Sequence, residues 1–299
     1  MKYFKSFFYN TLYATFALTL LTPLLSPFNS VTQNTTRTIK KSMTFADPAD
    51  PGNKFKVMNI DGSVTVEAYD GDTIELTIKE QIDGTPGEVR QAREELEYKV
   101  ERRGNLILTY LDAPFITFRF DGKDVHYSVD RNDDSYIFIH NLHLKVPQAI
   151  LLDVSSINKG GINIDGNFKA VEASNVNGSL NLTHLTSKTR ANTINGDITV
   201  SYDKVPVKDS EYHTINGTIE VNMPDDLSAD IYFKSLHGDI YTDFQNVKPL
   251  TPKVKTVSNS NRSKVMYEVK KFSPLRIANG SVELRFEVLN GDVYIRKQS

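Results

Sequence analysis

Strict alternation of apolar and polar residues dominates the chain from Lys54 onward. It is clearest in the runs VTVEA (64–68) and IELTI (74–78), where every second residue is apolar. Such a period of two predicts β-strands with one buried face. The pattern returns in the segments NLILTYL, FITFRF, DVHYSV and SYIFIHNLHLKVP, and again from 150 to 241. The chain is therefore predicted to be mainly β.

One segment departs from this alternation. In GTPGEVRQAREELEYKVERRG the apolar residues Val89, Ala92 and Leu96 recur at helical spacing. Pro86 suits the first turn of a helix, because its missing N–H would have no intrahelical partner there. The segment predicts a single short helix over 86–97.

A glycine-centred motif recurs through the second half of the chain. Apolar residues usually stand two positions before the glycine and two and four positions after it, as in TINGDITV (193–200) and TINGTIEV (214–221). The motif is centred on Gly160, Gly178, Gly196, Gly217 and Gly238, which are 18, 18, 21 and 21 residues apart. Gly62 and Gly291 repeat it, and Gly280 carries its downstream half. A period near 20 residues is typical of a solenoid, and the 42 residues from Gly238 to Gly280 indicate one degenerate coil between them.

Two interpretations of the Asn-Gly corners stay open. Asn-Gly between alternating runs is a strong signal for a tight hairpin. A hairpin at Asn195 and Gly196 would, however, place Ile194 on the opposite face from Ile198. If the chain passes the glycine as one bent strand, positions −2, 0, +2 and +4 all point inward. The bent strand is favoured because it keeps the apolar residues on one face.

Stacked bent strands form a β-solenoid with aliphatic ladders inside and Ser, Thr, Asn and Asp outside. The ends of such a stack are exposed strand edges, which must be covered. We expect the helix and the irregular strands at 105–140 to cover one end or to form a separate subregion. The predicted fold class is all-β, a single-stranded parallel β-helix or β-solenoid-like stack with one short helix in its N-terminal part.

The first thirty residues differ from the rest of the chain. Lys2 and Lys5 precede the mostly apolar run LYATFALTLLTPLL, which has the length of a signal-peptide core and is short for a membrane-spanning helix. We predict a secretory signal peptide at 1–30, with an uncleaved membrane anchor as the alternative. The other predicted segments are a flexible leader at 31–53, an N-terminal β region with the short helix at 54–144, and the β-solenoid repeat region at 145–299.

Composition narrows the compartment and the partners. The chain has 299 residues, a formal net charge of −2 and no cysteine. The near-neutral balance offers no basic surface for nucleic acid. Without cysteine, disulfides and a lipid-carrying cysteine after the signal are excluded. We expect an exported protein of the periplasm or cell surface whose partner is an envelope protein or a glycan, and which meets the membrane only through an uncleaved signal segment.

Acidic residues recur beside the repeat glycines. Asp197, Asp239 and Asp292 each follow a glycine, but Ser179 and Thr218 occupy the same position in other repeats. The row is therefore not a continuous carboxylate ladder that could gather cations. We interpret these aspartates as turn residues that hydrogen-bond the backbone.

Other candidate sites are weak. The run DRNDDS places Asp130, Asn132 and Asp134 at alternate positions, as in a calcium loop, but the loop glycine is missing and a polar turn is favoured. His140 and His143 point to opposite faces of a strand and cannot share a metal ion. Nucleophile-elbow, phosphate-loop and zinc-helix motifs do not occur. We therefore predict no catalytic, cofactor-binding or metal-ligating residue and no cofactor.

The motifs VNGSLNL, INGDITV, INGTIEV, LHGDIYT and LNGDVYI together resemble a bacterial β-strand-repeat family of unknown function, labelled putative adhesin and marked by N-G-D-I repeats. The segment LHLKVPQAILLDVSSINKGGINI also looks like the strand, proline turn and first coil with which that family begins its repeats. The resemblance covers 54–297, most firmly 145–297. It implies a right-handed, single-stranded β-helix-like stack on an exported protein, and it supplies no catalytic residues.

Three functions follow from these features. The first is an exported, non-enzymatic cell-envelope protein that serves as an adhesin or binding scaffold, indicated by its polar outward ladders. The second is a carbohydrate-active enzyme on a β-helix scaffold, although Lys and Arg hold no fixed position in the repeat. The third is a periplasmic accessory or sensor protein of an envelope-stress system.

Overall fold

The computed structural model describes residues 32–121, 125–131, 135–251, 254–258, 265–269 and 273–298. The predicted signal peptide lies outside these residues. The single helix of the described chain, α1, spans Pro86–Glu95. The strands are β1 (Gln33–Thr44), β2 (Lys54–Met58), β3 (Val64–Tyr69), β4 (Thr73–Gly84), β5 (Glu97–Arg103), β6 (Leu106–Asp112), β7 (Ile116–Phe120), β8 (Val125–Val129), β9 (Ile137–Pro147), β10 (Leu151–Ser155), β11 (Ile162–Asp165), β12 (Ala170–Ser174), β13 (Leu180–Leu185), β14 (Thr189–Asn195), β15 (Ile198–Tyr202), β16 (Ser210–Asn216), β17 (Ile219–Met223), β18 (Ala229–His237), β19 (Ile240–Thr242), β20 (Val247–Pro249), β21 (Val254–Ser258), β22 (Val265–Val269), β23 (Ser273–Ile277), β24 (Val282–Asn290) and β25 (Val293–Lys297).

Two large sheets contain most of these strands. Sheet A has ten strands in the order β1-β4-β9-β3-β11-β13-β15-β17-β25-β19, and sheet B has eleven in the order β20-β23-β18-β24-β16-β14-β12-β10-β2-β6-β5. In both sheets the central pairs are parallel. Antiparallel pairs lie at both ends of sheet B but only at the β1 end of sheet A, so both sheets are mixed. The predicted all-β class with one helix is confirmed. Right-handed winding stays a prediction.

Every repeat except the half-motif at Gly280 crosses from sheet B to sheet A at its glycine. The prediction for Gly280 is wrong, because this glycine lies between β23 and β24, which both belong to sheet B. At Gly196, β14 lies in sheet B and β15 in sheet A, and each pairs in parallel with the equivalent strand of the next repeat. A hairpin at this corner would instead join β14 to β15 as an antiparallel pair within one sheet. The hairpin interpretation is therefore wrong.

The chain bends at the glycine, but the predicted direction of the side chain two positions before it is wrong. Thr193 is 1% exposed, whereas Ile194 is half-buried and Asn195 is exposed. After the corner, Ile198 and Val200 are buried as predicted. The sharp turn between two sheets interrupts the pleat, so the alternation restarts after the glycine. At five corners position −2 forms an outer row instead of a core ladder, made of Val176, Ile194, Ile215, Leu289 and Leu236, whereas Ile60, two positions before Gly62, is buried as predicted.

Close backbone contact explains the glycine at these corners. A Cβ atom on Gly217, where φ is +154°, would lie 2.0 Å from the carbonyl oxygen of Gly196. A Cβ atom on Gly291, where φ is +141°, would lie 2.0 Å from the carbonyl oxygen of Gly217. Real side chains do not approach that closely, so the stacked corners accept only glycine.

The order of the last coils in space differs from their order along the chain. Strands β24 and β25 lie between β16–β17 and β18–β19, so the last repeat in the sequence is inserted before the one at Gly238. The predicted degenerate coil between Gly238 and Gly280 is therefore wrong. That stretch contains β23, which pairs antiparallel with the outer edge of β18, β20, which pairs antiparallel with β23, and the β21–β22 pair.

The predicted flexible leader at 31–53 is also corrected. Residues 33–44 form β1, which pairs with β4 along its whole length. Ile39 and Met43 pack against the core from this strand, although most of its residues are polar and its outer edge is open. The strand escaped prediction because few of its side chains are apolar, so it lacks the alternation that predicts a half-buried strand.

Helix α1 begins where it was predicted and ends two residues earlier. A capping box closes its first turn: Thr85 N donates to Glu88 Oε2 at 2.6 Å, and Glu88 N donates to Thr85 Oγ1 at 3.4 Å. Val89, Ala92 and Leu96 are buried in the same core as the repeats, as their spacing predicted. The helix packs on β4 and β1, and thus beside the N-terminal end of sheet A.

Candidate binding surface

The outward side of sheet A carries a straight row of side chains at one level of the strand register. Neighbouring strands lie about 4.8 Å apart, so the row presents one side chain at each such step. Asn163, Asn181 and Thr199, in the middle of the sheet, are exposed. We call it the sheet A row, and its members are Thr65, Asn163, Asn181, Thr199, Glu220, Tyr294 and Tyr241.

Two tyrosines end this row. The rings of Tyr241 on β19 and Tyr294 on β25 stack with their centroids 5.1 Å apart and their planes 15° apart. Tyr241 is 47% exposed, which makes it one of the few large apolar side chains on the described surface. The Arg296 guanidinium lies 4.8 Å from the centroid of Tyr294. The sheet therefore ends in an open aromatic platform.

Carboxylates surround the platform. Asp292 accepts the Tyr294 hydroxyl at 3.4 Å and the backbone N–H of Asp239 at 2.9 Å. Asp243 accepts from the Arg296 guanidinium at 3.3 Å. The negative charges of Asp292 and Asp239 raise the pKa of the exposed Tyr241, so its phenol stays protonated at neutral pH.

Two of the aspartates after the repeat glycines, Asp197 and Asp292, act as predicted, as backbone partners. Asp197 Oδ1 accepts the backbone N–H of Thr218 at 2.8 Å, and Asp197 N donates to Ser179 Oγ at 3.1 Å. Asp292 makes the equivalent bond to Asp239 in the last coil. Each side chain thus ties one coil to the next.

An asparagine ladder runs beside them, and sequence reasoning missed it. The side-chain amide of each asparagine before a corner glycine donates to the amide oxygen of the preceding one, at 2.7 to 2.8 Å. The signal was present as an Asn at position −1 of most repeats. Its members are Asn158, Asn177, Asn195, Asn216 and Asn290, and His237 stands next to Asn290 in the final coil.

The outward side of sheet B carries opposite charges in register. Lys54 and Lys56 reach Asp153 at 2.7 and 2.8 Å, and Arg190 reaches Glu211 at 3.3 Å. Burial alone would raise the pKa of Asp153, but the two lysines outweigh it and lower that pKa. Because these cations lie beside anions, the charges at these positions are largely neutralised.

A buried polar cluster lies near the N-terminal end of sheet A. Glu80, only 2% exposed, accepts from Arg37 Nη2 at 2.9 Å and lies 3.2 Å from His140 Nε2. Burial alone would raise the pKa of Glu80, but the hydrogen bonds from His140 and Arg37 outweigh it and lower that pKa. His140 Nδ1 has no hydrogen-bond partner, and its ring packs on Tyr98 and Phe138. The cluster ties β1, β4 and β9 together.

The weak metal candidates do not converge. His140 is buried and His143 is exposed, so the two histidines point to opposite faces as predicted. Asn132 and Asp134 of the DRNDDS run lie outside the described residues. Within the described chain, no group of three His, Asp or Glu side chains is arranged to hold a metal ion.

A shallow cleft of about 480 Å³ lies on the side where the chain returns from sheet A to sheet B. Lys169 closes part of it by donating to the carbonyl oxygen of Pro51. Its lining is mixed polar and apolar, and it includes the buried ring of Phe168. It is formed by the loop 48–51 and the turns at 148–149, 167–169 and 186–187.

The family model described as Toastrack DUF4097 matches residues 142–285. That span begins in β9 and ends in β24, and it therefore contains most of the repeats. The resemblance stated from the sequence is confirmed as far as this match to a domain of unknown function. The N-G-D-I repeat as a family signature stays a prediction. No curated protein matches the chain.

Solved structures of low sequence identity also match. A putative cell adhesion protein from Clostridium sporogenes is 10% identical, with a TM-score of 0.37 over 88% of this chain and 100% of that one. A putative adhesin from Bacteroides fragilis is 11% identical, with a TM-score of 0.37 over 87% and 97%. A putative lipid binding protein from Parabacteroides distasonis is 10% identical, with a TM-score of 0.34 over 88% and 97%.

The described residues contain no helix of the length and apolarity that a membrane crossing requires.

Proposed function

We propose that this protein is an exported, non-enzymatic binding scaffold of the cell envelope, in the manner of an adhesin, built as a right-handed β-solenoid-like stack. The observation that carries the proposal is the outward face of sheet A, where successive coils hold polar side chains in register beside an exposed aromatic pair. The resemblance to a family labelled putative adhesin supports it, and so does the signal-like N-terminal run.

A stack of this kind suits binding better than catalysis. Each added coil repeats the same outward positions over an unchanged core, which lengthens a contact surface without assembling a reactive centre. The core ladder beneath the sheet A row holds its outward side chains in place, because Ile162, Leu180, Ile198, Ile219 and Val293 are all 1% exposed or less. A rigid surface loses little conformational entropy when a ligand binds.

Localisation is tested by fractionating cells that carry the native protein and adding protease to intact cells. We expect the protein in the envelope fraction, with cleavage in intact cells if it lies on the surface. Recovery only in the cytosol would contradict export.

Binding is tested with the mature protein on arrays of glycans and envelope proteins. We expect at least one reproducible ligand. Failure to retain any ligand would contradict the scaffold role. Release of reducing sugars from an envelope polysaccharide would contradict the non-enzymatic part of the proposal and favour the enzyme alternative.

A further inference from the structure

We propose that the outward face of sheet A binds a neutral oligosaccharide that lies across the strands along the sheet A row and stacks its terminal sugar on the open face of Tyr241, whose other face packs on Tyr294. This inference rests on the proposed binding role and names its ligand class and its site.

The aromatic platform supplies the apolar part of the site. The face of an aromatic ring is electron-rich and attracts groups with partial positive charge, such as the C–H groups on one side of a sugar ring. Tyr241 is 47% exposed and belongs to β19, the last strand of sheet A in the described chain. The Tyr241 ring is held in place by stacking on Tyr294, and the Tyr241 phenol is protonated, so the ring presents a flat, neutral surface. Tyrosine combines an apolar ring with a polar hydroxyl and is enriched at binding interfaces.

The rest of the row supplies hydrogen bonds at a constant interval. Asn163, Asn181 and Thr199 are exposed, uncharged, and placed at the same register level on consecutive strands. Amide and hydroxyl groups both donate and accept, so they match sugar hydroxyls, which do the same. A step of about 4.8 Å between strands repeats this match along an extended polymer.

The charges around the platform select against other polymers. Asp239, Asp292 and Asp243 place three carboxylates near the tyrosines, with Arg296 as the cation among them. An anionic polymer, such as nucleic acid or a uronic-acid chain, would be repelled there. Carboxylates accept hydrogen bonds from the hydroxyls of a neutral sugar without such repulsion.

The tyrosine pair could instead serve only to hold the short strand β19 against β25. In that case its loss would lower stability and would leave ligand affinity unchanged once the protein is folded. A variant that keeps the ring, Tyr241→Phe, and a variant that removes it, Tyr241→Ala, separate stacking from the hydroxyl. Val207→Ala is a matched control, because Val207 is 89% exposed and follows β15 in the turn at 203–209, outside the row.

The experiment is isothermal titration of the purified protein with neutral hexasaccharides, namely cellohexaose, maltohexaose, mannohexaose and chitohexaose, with hexagalacturonate as the acidic probe. We expect measurable binding of at least one neutral probe and none of the acidic one. Tyr241→Ala should weaken that binding by about tenfold or more, whereas Tyr241→Phe and Val207→Ala should leave it within about threefold. The double variant Asn181→Ala and Thr199→Ala should weaken it by about fivefold or more.

The possible outcomes separate this inference from the proposed function. If the arrays find a protein ligand but no neutral hexasaccharide binds, the inference is overturned and the scaffold role stands. If a neutral hexasaccharide binds equally well to wild type and Tyr241→Ala, the site is overturned. If neither the arrays nor the titration finds a ligand, both the scaffold role and this inference are overturned. Circular dichroism of each variant confirms that it is folded before titration. If Tyr241→Ala fails to fold, the Asn181/Thr199 double variant still tests the site.

Discussion

The two ends of sheet A are finished in different ways. At the N-terminal end, the antiparallel strands β1, β4 and β9 extend the sheet, helix α1 packs on them, and Glu80 is buried between Arg37 and His140. At the C-terminal end, sheet A stops at the three-residue strand β19, where Tyr241 is 47% exposed, and Leu236 on the preceding strand β18 of sheet B is 67% exposed. Both ends belong to one continuous core.

This difference shows two ways to manage an open sheet edge. A long edge strand such as β1 carries lysines and polar residues, which discourage pairing with another chain. A very short edge strand such as β19 limits pairing by its length and leaves its side chains free for contacts. The N-terminal end therefore contributes mainly to stability, and the C-terminal end presents the surface that we assign to binding.

The largest expected contrast comes from removing an aromatic ring at each end. Phe138 lies at the N-terminal end of sheet A. It is 2% exposed and packs on Phe115, Tyr136 and His140. Phe138→Ala should lower the free energy of unfolding by about 4 kcal/mol, because it leaves a cavity in a packed core. Tyr241→Ala should cost about 1 kcal/mol, mostly the lost stacking on Tyr294.

Urea denaturation of both variants measures the contrast. Equal losses would mean that the C-terminal end is packed as tightly as the N-terminal end, and the comparison would fail.

The buried charge at the N-terminal end gives the next largest effect. Glu80→Ala leaves Arg37 and His140 without their shared partner, and it should lower the free energy of unfolding by about 3 kcal/mol. Lys79→Ala is the control, since Lys79 is exposed on the same strand. Thermal unfolding of the two variants decides the matter, and a Glu80→Ala variant as stable as Lys79→Ala would show that the cluster contributes nothing.

Acid should weaken the same end. The folded-state pKa of Glu80 lies below its ordinary value of 4.5, so its stabilisation is present above that value and is lost as the pH falls through the lowered pKa. We expect the free energy of unfolding of wild type to fall on acidification below about pH 4.5, and to fall less steeply in Glu80→Gln. Urea denaturation at a series of pH values measures this, and parallel curves for the two proteins would contradict it.

Periodicity predicted much of this fold. The alternation at 198–202 and 219–223 and the spacing of Val89, Ala92 and Leu96 follow directly from burial on one face of a strand or helix. The corner glycines were found from their apolar neighbours. The predicted inward direction of Ile194 was wrong. The chain turns from one sheet to the other at this corner, which interrupts the pleat, and the alternation of residues in the sequence does not show that interruption.

Long-range features were harder to predict. The insertion of β24 and β25 between earlier coils depends on which strands pair with each other in space. The spacing of the repeats along the sequence carries no information about that pairing. The tyrosine pair was missed for a related reason. Tyr241 and Tyr294 are 53 positions apart in sequence, and only the inserted coil brings their rings together.

The smallest predicted effect is a gain at the C-terminal end. His237 stands in register with Asn290, at the position that asparagine holds in the neighbouring coils. His237→Asn would let an amide donate to Asn290 Oδ1, as Asn290 itself does to Asn216 at 2.8 Å. One further exposed hydrogen bond should raise the free energy of unfolding by about 0.5 kcal/mol, which urea denaturation measures.

The control is His143→Asn, because His143 is also exposed but lies outside the ladder. This variant should leave the free energy of unfolding unchanged in the same urea denaturation. A gain in both variants would point to a general effect of removing histidine, whereas a gain in His237→Asn alone would show that the asparagine ladder can be extended to the open end of the stack.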